Sequence, residues 1–442
     1  MPRFFGRQES FCPPETERRI TMNQRKNFQA WVFFALFLSI AAVLIPGKGM
    51  AADSIPIGIL LPYTGPLGWV AACQTGADIA RDEINAAGGV LGRQVQFFVA
   101  DDEGKSDSAI AGEEKLININ KAPAIIGPTS VTFRSVMPIA IKNKVVQISP
   151  TAGTTALDFV KEKYVFRTVS SDVVMGTGMV FEAAKRKYQK AALFFGDDES
   201  AQSIRGVLVP ACKAAGIEIV GDVTFTQRQT SYRSELLSAL KNKPQVIFFE
   251  ADPQTSAVIF KQVTELKMAG DWIGTDFVSD QFLQATWPYS KGVGAVQPAA
   301  KTSPRLDAFA KEVEKRRGKP GIPVFTVNAY DAMIIMALAM EFAKKTDGES
   351  LAENIRKVAN PPGTKVYSFA EGVKLLRQGQ KIDYEGLAGP QNFDEYGNVV
   401  TSLGVFKIED NQRKAIGFLD ENDFGELLGK VRQLYATAQQ KK

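Results

Sequence analysis

AIIGPTSVTFRS, residues 124–135, is the stretch on which the fold turns. Three apolar residues run into Gly127-Pro128 and then into the hydroxyls of Thr129, Ser130 and Thr132, ahead of a helical pattern over 132–142. The apolar triplet reads as the end of a buried strand. Hydroxyls and bare backbone at such an end are costly unless something pairs with them. In open parallel sheets, ligands sit outside the carboxyl ends of the strands.

Working outward, the same unit repeats. IPIGILL (55–61), QVQFFVA (94–100), APAIIG (122–127) and VVQIS (145–149) read as short strands. Helical patterns over 70–87, 106–120 and 132–142 separate them, the first stopped by Gly88-Gly89. The rhythm restarts with AALFFG (191–196), IEIVGDVTF (217–225), PQVIFFE (244–250) and WIGT (272–275), interleaved with helices over 202–215, 232–240 and 256–268. Strands alternating with helices imply right-handed βαβ units, and two such runs imply two α/β lobes with parallel sheets. Further helices are predicted over 304–317, 328–345, 351–358 and 367–379, and hairpin strands over 386–405 with a turn at 394–398. This tail is too large for a linker and too small for a third lobe, so it completes both earlier ones.

The chain has 442 residues, 45% of them apolar, which is ample for two domains with their own cores. Its first 51 residues read as a secretory signal peptide. Arg25 and Lys26 precede an apolar run over 30–45, followed by Pro46-Gly47 and the small exit Gly49-Met50-Ala51. Met22 is an alternative start. This leader holds seven Lys/Arg and three Asp/Glu, so the remainder carries 46 basic against 45 acidic residues. A formal charge of +1 with no clustered Lys/Arg argues against a nucleic-acid surface. The two cysteines beyond the leader, Cys73 and Cys212, are expected as buried thiols. There is no histidine, which removes Ser-His-Asp and Cys-His catalysis and histidine metal sites. Neither a metal nor a cofactor is expected.

The strand ends differ between the two runs. The first offers Pro62-Tyr63-Thr64-Gly65-Pro66 with Trp69 close behind, then Gly127 to Thr132, then Ser149 to Thr154. The second offers Gly196-Asp197-Asp198, Glu250-Ala251-Asp252 and Thr275-Asp276. Hydroxyls and helix N-termini favour an anion, and carboxylates favour a cation. A ligand between the lobes would be negative at one end and positive at the other, the charge layout of a free amino acid. A serine or threonine before a helix is also an ordinary N-cap. The argument therefore rests on several strand ends sharing one polarity.

IGILLPYTGPLG (57–68), TGADIARDEINAAGGVLGRQVQ (75–96), DDEGKSDSA (101–109), IIGPTS (125–130), ISPTAGT (148–154) and FRT (166–168) together resemble the leucine/isoleucine/valine-binding proteins of bacterial ABC importers. The resemblance spans residues 55–407 and implies the type I periplasmic binding fold, two lobes joined by three hinge strands that close on one small ligand. It implies lobe 1 over 52–171, lobe 2 over 172–296, a return to lobe 1 over 297–385, and completion of lobe 2 with a C-terminal tail over 386–442. It implies that the ligand α-carboxylate is held by the turn carrying Thr129, Ser130 and Thr132 and by Thr151, Ala152 and Gly153. Asp276 would hold the α-ammonium, Asp172 would add a polar contact, and Trp69 and Phe325 would wall the side-chain pocket.

Three positions depart from the family pattern. Ala201 and Asp252 stand where pocket aromatics are common. Val131 aligns with the hydroxyl that contacts the carboxylate, which leaves that role to Ser130 or Thr132. Asp252 in the pocket would favour a polar or cationic side chain, an amide or a diamine. The implied partners are a small-molecule ligand and an ABC permease in the inner membrane, with a monomer in the periplasm. The rival classes are an amide, urea-like or aromatic-carboxylate binder, a sensory binding protein and a histidine-independent hydrolase. The last lacks both a G-x-S-x-G elbow and a P-loop.

Overall fold

The strand β1 (Ile55–Leu61) is almost wholly buried and pairs in parallel with both β2 (Val95–Asp101) and β3 (Ala124–Ile126). With β4 (Val146–Ser149) and β5 (Val165–Arg167) it makes a five-stranded parallel sheet of order β2-β1-β3-β4-β5. The structure is a computed structural model that describes residues 54–439. The expected leader and the alternative start at Met22 lie outside the described residues.

A second sheet starts with β6 (Lys190–Gly196), β7 (Glu218–Phe225), β8 (Val246–Glu250), β9 (Asp271–Gly274) and β10 (Gly294–Pro298), all parallel. A small parallel pair follows in the chain, β11 (Thr364–Val366) with β12 (Ile382–Tyr384). The hairpin β13 (Leu403–Glu409) and β14 (Gln412–Leu419) then adds antiparallel to β10, giving the order β14-β13-β10-β9-β8-β6-β7. The fold is the two-lobed α/β type expected, with an antiparallel edge on the second sheet.

That edge corrects the hairpin expected over 386–405. The hairpin lies at 403–419 and turns at Asp410-Asn411, both in the left-handed region. The turn signal at 394–398 is real, since Asp394 accepts from the amides of Tyr396 and Asn398, but it belongs to a loop. The apolar residues of that loop, Leu387, Ala388, Phe393 and Val399, enter the core of the first lobe. The sequence pattern did not reveal β10 or the closing helix Glu421–Gln439, which packs on helices Asp172–Lys185 and Glu199–Ala215.

Each lobe buries its own core. In the first, the helix Thr326–Ala343 is buried along nearly its whole length against helices Gln74–Ala86 and Gly348–Ala359. A helix apolar on every face needs such enclosure. Gly76 allows the close approach, because a Cβ there would lie 1.8 Å from the Thr326 carbonyl oxygen. Cys73 sits in this core and Cys212 in the other, both free, and burial pushes each thiol up to about 12.

Three crossings join the lobes and run side by side. Ser170 bridges Val399 in parallel, and its hydroxyl accepts from the Thr401 amide at 2.6 Å. The Ala299 amide donates to the Ser402 carbonyl at 3.2 Å. Asn328 and Thr168 exchange two further hydrogen bonds at the start of the first crossing, 2.7 and 2.9 Å long.

Candidate functional site

The strand ends of both sheets meet at a cavity of about 30 Å³ lined by Leu67, Trp69, Val70, Thr129–Val131, Thr151, Ser200, Asp276, Phe277 and Phe325. Six of the expected residues are therefore brought together: Trp69, Thr129, Ser130, Thr151, Asp276 and Phe325. A larger cavity of about 430 Å³ lies beside the crossings, against Phe159, Tyr396 and Tyr435, away from the strand ends.

On the first-lobe side, the chain leaves β3 through Gly127, whose φ of +115° only glycine adopts readily and whose Cβ would lie 2.1 Å from the Leu60 carbonyl oxygen. That tight exit sets Thr129 at the N-cap of helix Ser130–Asn143. Thr129 makes no capping bond, and its hydroxyl is buried without a partner. The indole N–H of Trp69 is likewise buried without a partner. An unpaired buried polar group costs about 1–3 kcal/mol. Helix starts carry partial positive charge, so the orphans favour an anion here.

The loop Thr151–Thr154 is held from below. Ser149 Oγ takes the Ala152 amide at 2.8 Å and donates to the Pro128 carbonyl at 2.6 Å. Arg167 is 1% exposed and spreads one guanidinium nitrogen over the carbonyls of Ala152, Gly153 and Thr154, at 3.0–3.3 Å. Its other terminal nitrogen binds Asp158 at 2.5 Å. The FRT segment thus shapes the ISPTAGT segment, a role that spacing alone does not reveal. The amides of Ala152 and Gly153 are both engaged inside the protein, the second by the Thr151 carbonyl at 3.2 Å. Neither residue lines the cavity.

Thr132 is also spent elsewhere: it is fully buried, and its hydroxyl donates to Asp102 at 2.9 Å. Ser130 and Val131 line the cavity in its place, and Ser130 Oγ accepts from the Thr154 amide at 3.3 Å.

On the second-lobe side, Asp276 lies two residues past the end of β9 and lines the cavity. Burial raises its carboxyl to about 7. The next residue, Phe277, packs edge-on to Trp69 with ring centroids 5.3 Å apart, and Phe325 stacks on Trp69 at 6.4 Å. Phe277 thereby joins the core of the first lobe, so the lobes touch across the cleft. Phe325 has φ +67°, a strained conformation for a bulky residue.

Asp252 is the clearest departure from expectation. Its carboxylate caps helix Pro253–Glu265, taking the amides of Gln254 and Thr255 at 2.9 and 3.0 Å and the Thr255 hydroxyl at 2.9 Å. Ala201 is buried in the second-lobe core. Asp172 lies outside the cavity lining but ties the lobes together. Its amide donates to the Gly153 carbonyl at 2.7 Å, and its carboxylate accepts from Ser203 at 2.5 Å. Burial raises Asp172 to about 7, and nearby Asp276 adds to the rise. Ser203 Oγ in turn accepts from the Thr155 amide at 2.9 Å. Asp280 makes a second link, with Arg413 at 2.8 Å on its own sheet and Arg317 at 3.2 Å on helix Pro304–Arg317 of the first lobe. No group of three or more metal-ligating side chains occurs among the described residues.

The family description "periplasmic binding protein" matches residues 54–413. A leucine-, isoleucine-, valine-, threonine- and alanine-binding protein of Pseudomonas aeruginosa is 24% identical over 329 residues, which cover 73% of this chain and 87% of the relative. Leu/Ile/Val-binding protein homolog 3 of Brucella melitensis is 24% identical over 387 residues, 85% and 98% of the two chains. Among solved structures, the branched-chain amino acid transporter substrate-binding protein LivJ of Streptococcus pneumoniae, in complex with isoleucine, superposes with a TM-score of 0.71. It is 21% identical and covers 83% of this chain and 100% of the other. A solute-binding protein of an ABC transporter from R. palustris, in complex with benzoate, gives a TM-score of 0.69 at 20% identity, covering 83% and 96%. Two lobes, three crossings and a cavity between opposed strand ends accompany a match over most of the sequence, and this chain belongs to the periplasmic binding protein family.

Proposed function

We propose that this protein is the soluble substrate-binding component of an ABC importer, capturing a small amino acid between its two lobes and presenting it to a permease in the inner membrane. The observation that carries this reading is the polarity of the cavity. The unpartnered Thr129 hydroxyl and Trp69 indole N–H lie on one side and the Asp276 carboxyl on the other. A zwitterion reverses that polarity, its carboxylate taking the donors and its ammonium taking the acid. The names of the amino-acid-binding relatives support the same class.

At about 30 Å³ the cavity has room for little more than a water molecule or two, so the lobes must part to admit an amino acid. Capture then shifts the population back toward the closed arrangement. In this reading the protein binds and does not catalyse, in line with a chain that has no histidine for Ser-His-Asp or Cys-His chemistry. It acts without a cofactor, as a monomer in the periplasm, exported by a cleaved leader. Residues 52–171 and 297–385 serve as lobe 1, together with the loop carrying Leu387, Ala388, Phe393 and Val399, expected from the sequence to begin the completion of lobe 2 over 386–442. Residues 172–296 with the chain after the third crossing serve as lobe 2.

A second reading, an aromatic carboxylate as ligand, is favoured by the ring wall of Trp69, Phe277 and Phe325 and by the benzoate complex of a structural relative. A thermal-shift screen of amino acids, amides, polyamines and aromatic acids separates the two. A ligand at a hundred times its dissociation constant adds about 2.7 kcal/mol of stability. The expected hits are amino acids. A rise with aromatic acids alone overturns the amino-acid reading and leaves the family intact.

A further inference from the structure

Close to Asp276, but outside the cavity lining, is a second buried acid with no role so far. Glu250 ends β8, alongside the end of β9, where Phe249 pairs in register with Gly274. Its side chain is 1% exposed. One carboxyl oxygen accepts from the Thr275 hydroxyl at 2.7 Å, and the other is buried with no partner. Asp276 is the residue after Thr275, so the two acids flank one hydrogen-bonded threonine.

The charged groups acting on Glu250 are themselves acidic. They are Asp276 after β9, Asp198 at the cap of helix Glu199–Ala215, and Asp172 at the start of helix Asp172–Lys185. Asp198 accepts from Gln227, and Asp172 faces Ser203, with Arg167 and Asp158 farther off. The nearby Arg228 lies 3.9 Å from Asp252, not from Glu250. Across the cavity the first lobe presents neutral hydroxyls and rings. Two buried carboxyls placed together without a cation do not both ionise.

We infer that Glu250 is a specificity-determining residue of the cleft. Glu250 and Asp276 form one acid pair that holds a proton in the ligand-free protein, and a ligand ammonium takes that proton's place. At the acid pair one positive charge enters as R–NH3+ and one leaves to solvent as H+; the ligand carboxylate adds one negative charge to the cleft, which the first-lobe hydroxyl and indole donors meet. The cleft therefore selects ligands that carry a protonated amine over neutral amides and simple acids. This rests on the amino-acid reading above. Burial first, and then Asp276, raise Glu250 well above the ordinary carboxylate range, which supports a proton on the pair near neutral pH.

The test is calorimetric titration of the purified protein with the L-amino acids and their 2-hydroxy-acid analogues, in phosphate and in Tris at pH 7, for the wild type and Glu250→Gln. Expected for the wild type is release of close to one proton per bound amino acid, no measurable binding of the hydroxy acids, and affinity that falls as pH drops from 8 to 5.5. Glu250→Gln relieves the repulsion on Asp276, so both proton release and pH slope should shrink by half or more. A merely structural Glu250 leaves both unchanged, and that result overturns the inference. Amino-acid binding without proton release in the wild type overturns it while the amino-acid reading stands. Binding of aromatic acids in place of amino acids overturns both.

A ligand-free measurement supplies an independent arm. Asp276 and Glu250 have raised values in the folded state, so their stabilising contribution is complete below the unfolded carboxylate value of about 4 and is lost as pH rises through the folded values, about 7 for Asp276. The melting temperature of the wild type should therefore decline over that window more steeply than that of Glu250→Gln. Equal slopes overturn the inference.

Discussion

Asp252 and Asp276 close neighbouring strands of the same sheet with the same carboxylate, are 3% and 7% exposed, and do opposite things. Asp252 is followed by Pro253 and turns straight into a helix, so its oxygens are consumed by the first-turn amides. Asp276 is followed by Phe277 and Val278. The next helix starts only at Asp280, with Ser279 as its cap, so no first-turn amide of a following helix claims the Asp276 carboxyl. The residue type does not decide whether a carboxylate is consumed as a cap or left lining the cavity. The position of the next helix start does.

The sharpest way to break this contrast is to remove each carboxylate in turn. Asp276→Ala should lower amino-acid affinity at least a hundredfold, a loss of about 3 kcal/mol in the range for a buried charge contact, with cooperative melting retained. Asp252→Ala should leave the ligand profile unaltered and lower stability by about 1 kcal/mol, as for a lost N-cap. An exchange of these two phenotypes, read by calorimetry and melting, would sink the assignment.

Thr129→Val tests the donor side, with a smaller effect. Replacing an unpartnered hydroxyl with a methyl should leave the ligand-free protein as stable or slightly more so, and weaken amino-acid binding about five- to tenfold. A clear loss of ligand-free stability would mean that the hydroxyl is engaged within the protein.

The least effect is expected from Asp280→Asn, which loosens the Arg317–Asp280–Arg413 link between the lobes. Burial alone would raise this carboxyl, but the two guanidiniums outweigh it and hold the group below the usual range. Its loss should cost about 1 kcal/mol or less for such partly exposed pairs. Small-angle scattering should show a small increase in radius of gyration without ligand, and an unchanged radius would count against a latch.

The same physical distinction separates what the sequence made legible from what it did not. The alternating strands and helices, and the polarity of their ends, follow from local patterning, and six expected residues meet at one cavity. Asp252 was misread although the signal was present: Asp-Pro at a strand end is a capping signature, because proline at the first helical position lacks the N–H that would otherwise need a partner. Thr132 was misread because its partner, Asp102, lies 30 residues away. Arg167 was hidden for the same kind of reason, since it acts on three carbonyls of another loop. Glu250 was visible as a strand-end carboxylate, but its partner Thr275 lies 25 residues away. The alternation over 386–402 reflects side chains dipping into the first-lobe core, which mimics strand periodicity without strand pairing.

The stitched crossings have a mechanical consequence. Ser170 joins Val399 and Thr401, and Ala299 joins Ser402, so the three segments behave as one leaf. Twisting one lobe against the other would shear those hydrogen bonds, whereas bending the leaf leaves them parallel. The soft motion is thereby confined to a single angle. Under the proposed closure, a ligand's differential affinity for the closed form would act along that one coordinate.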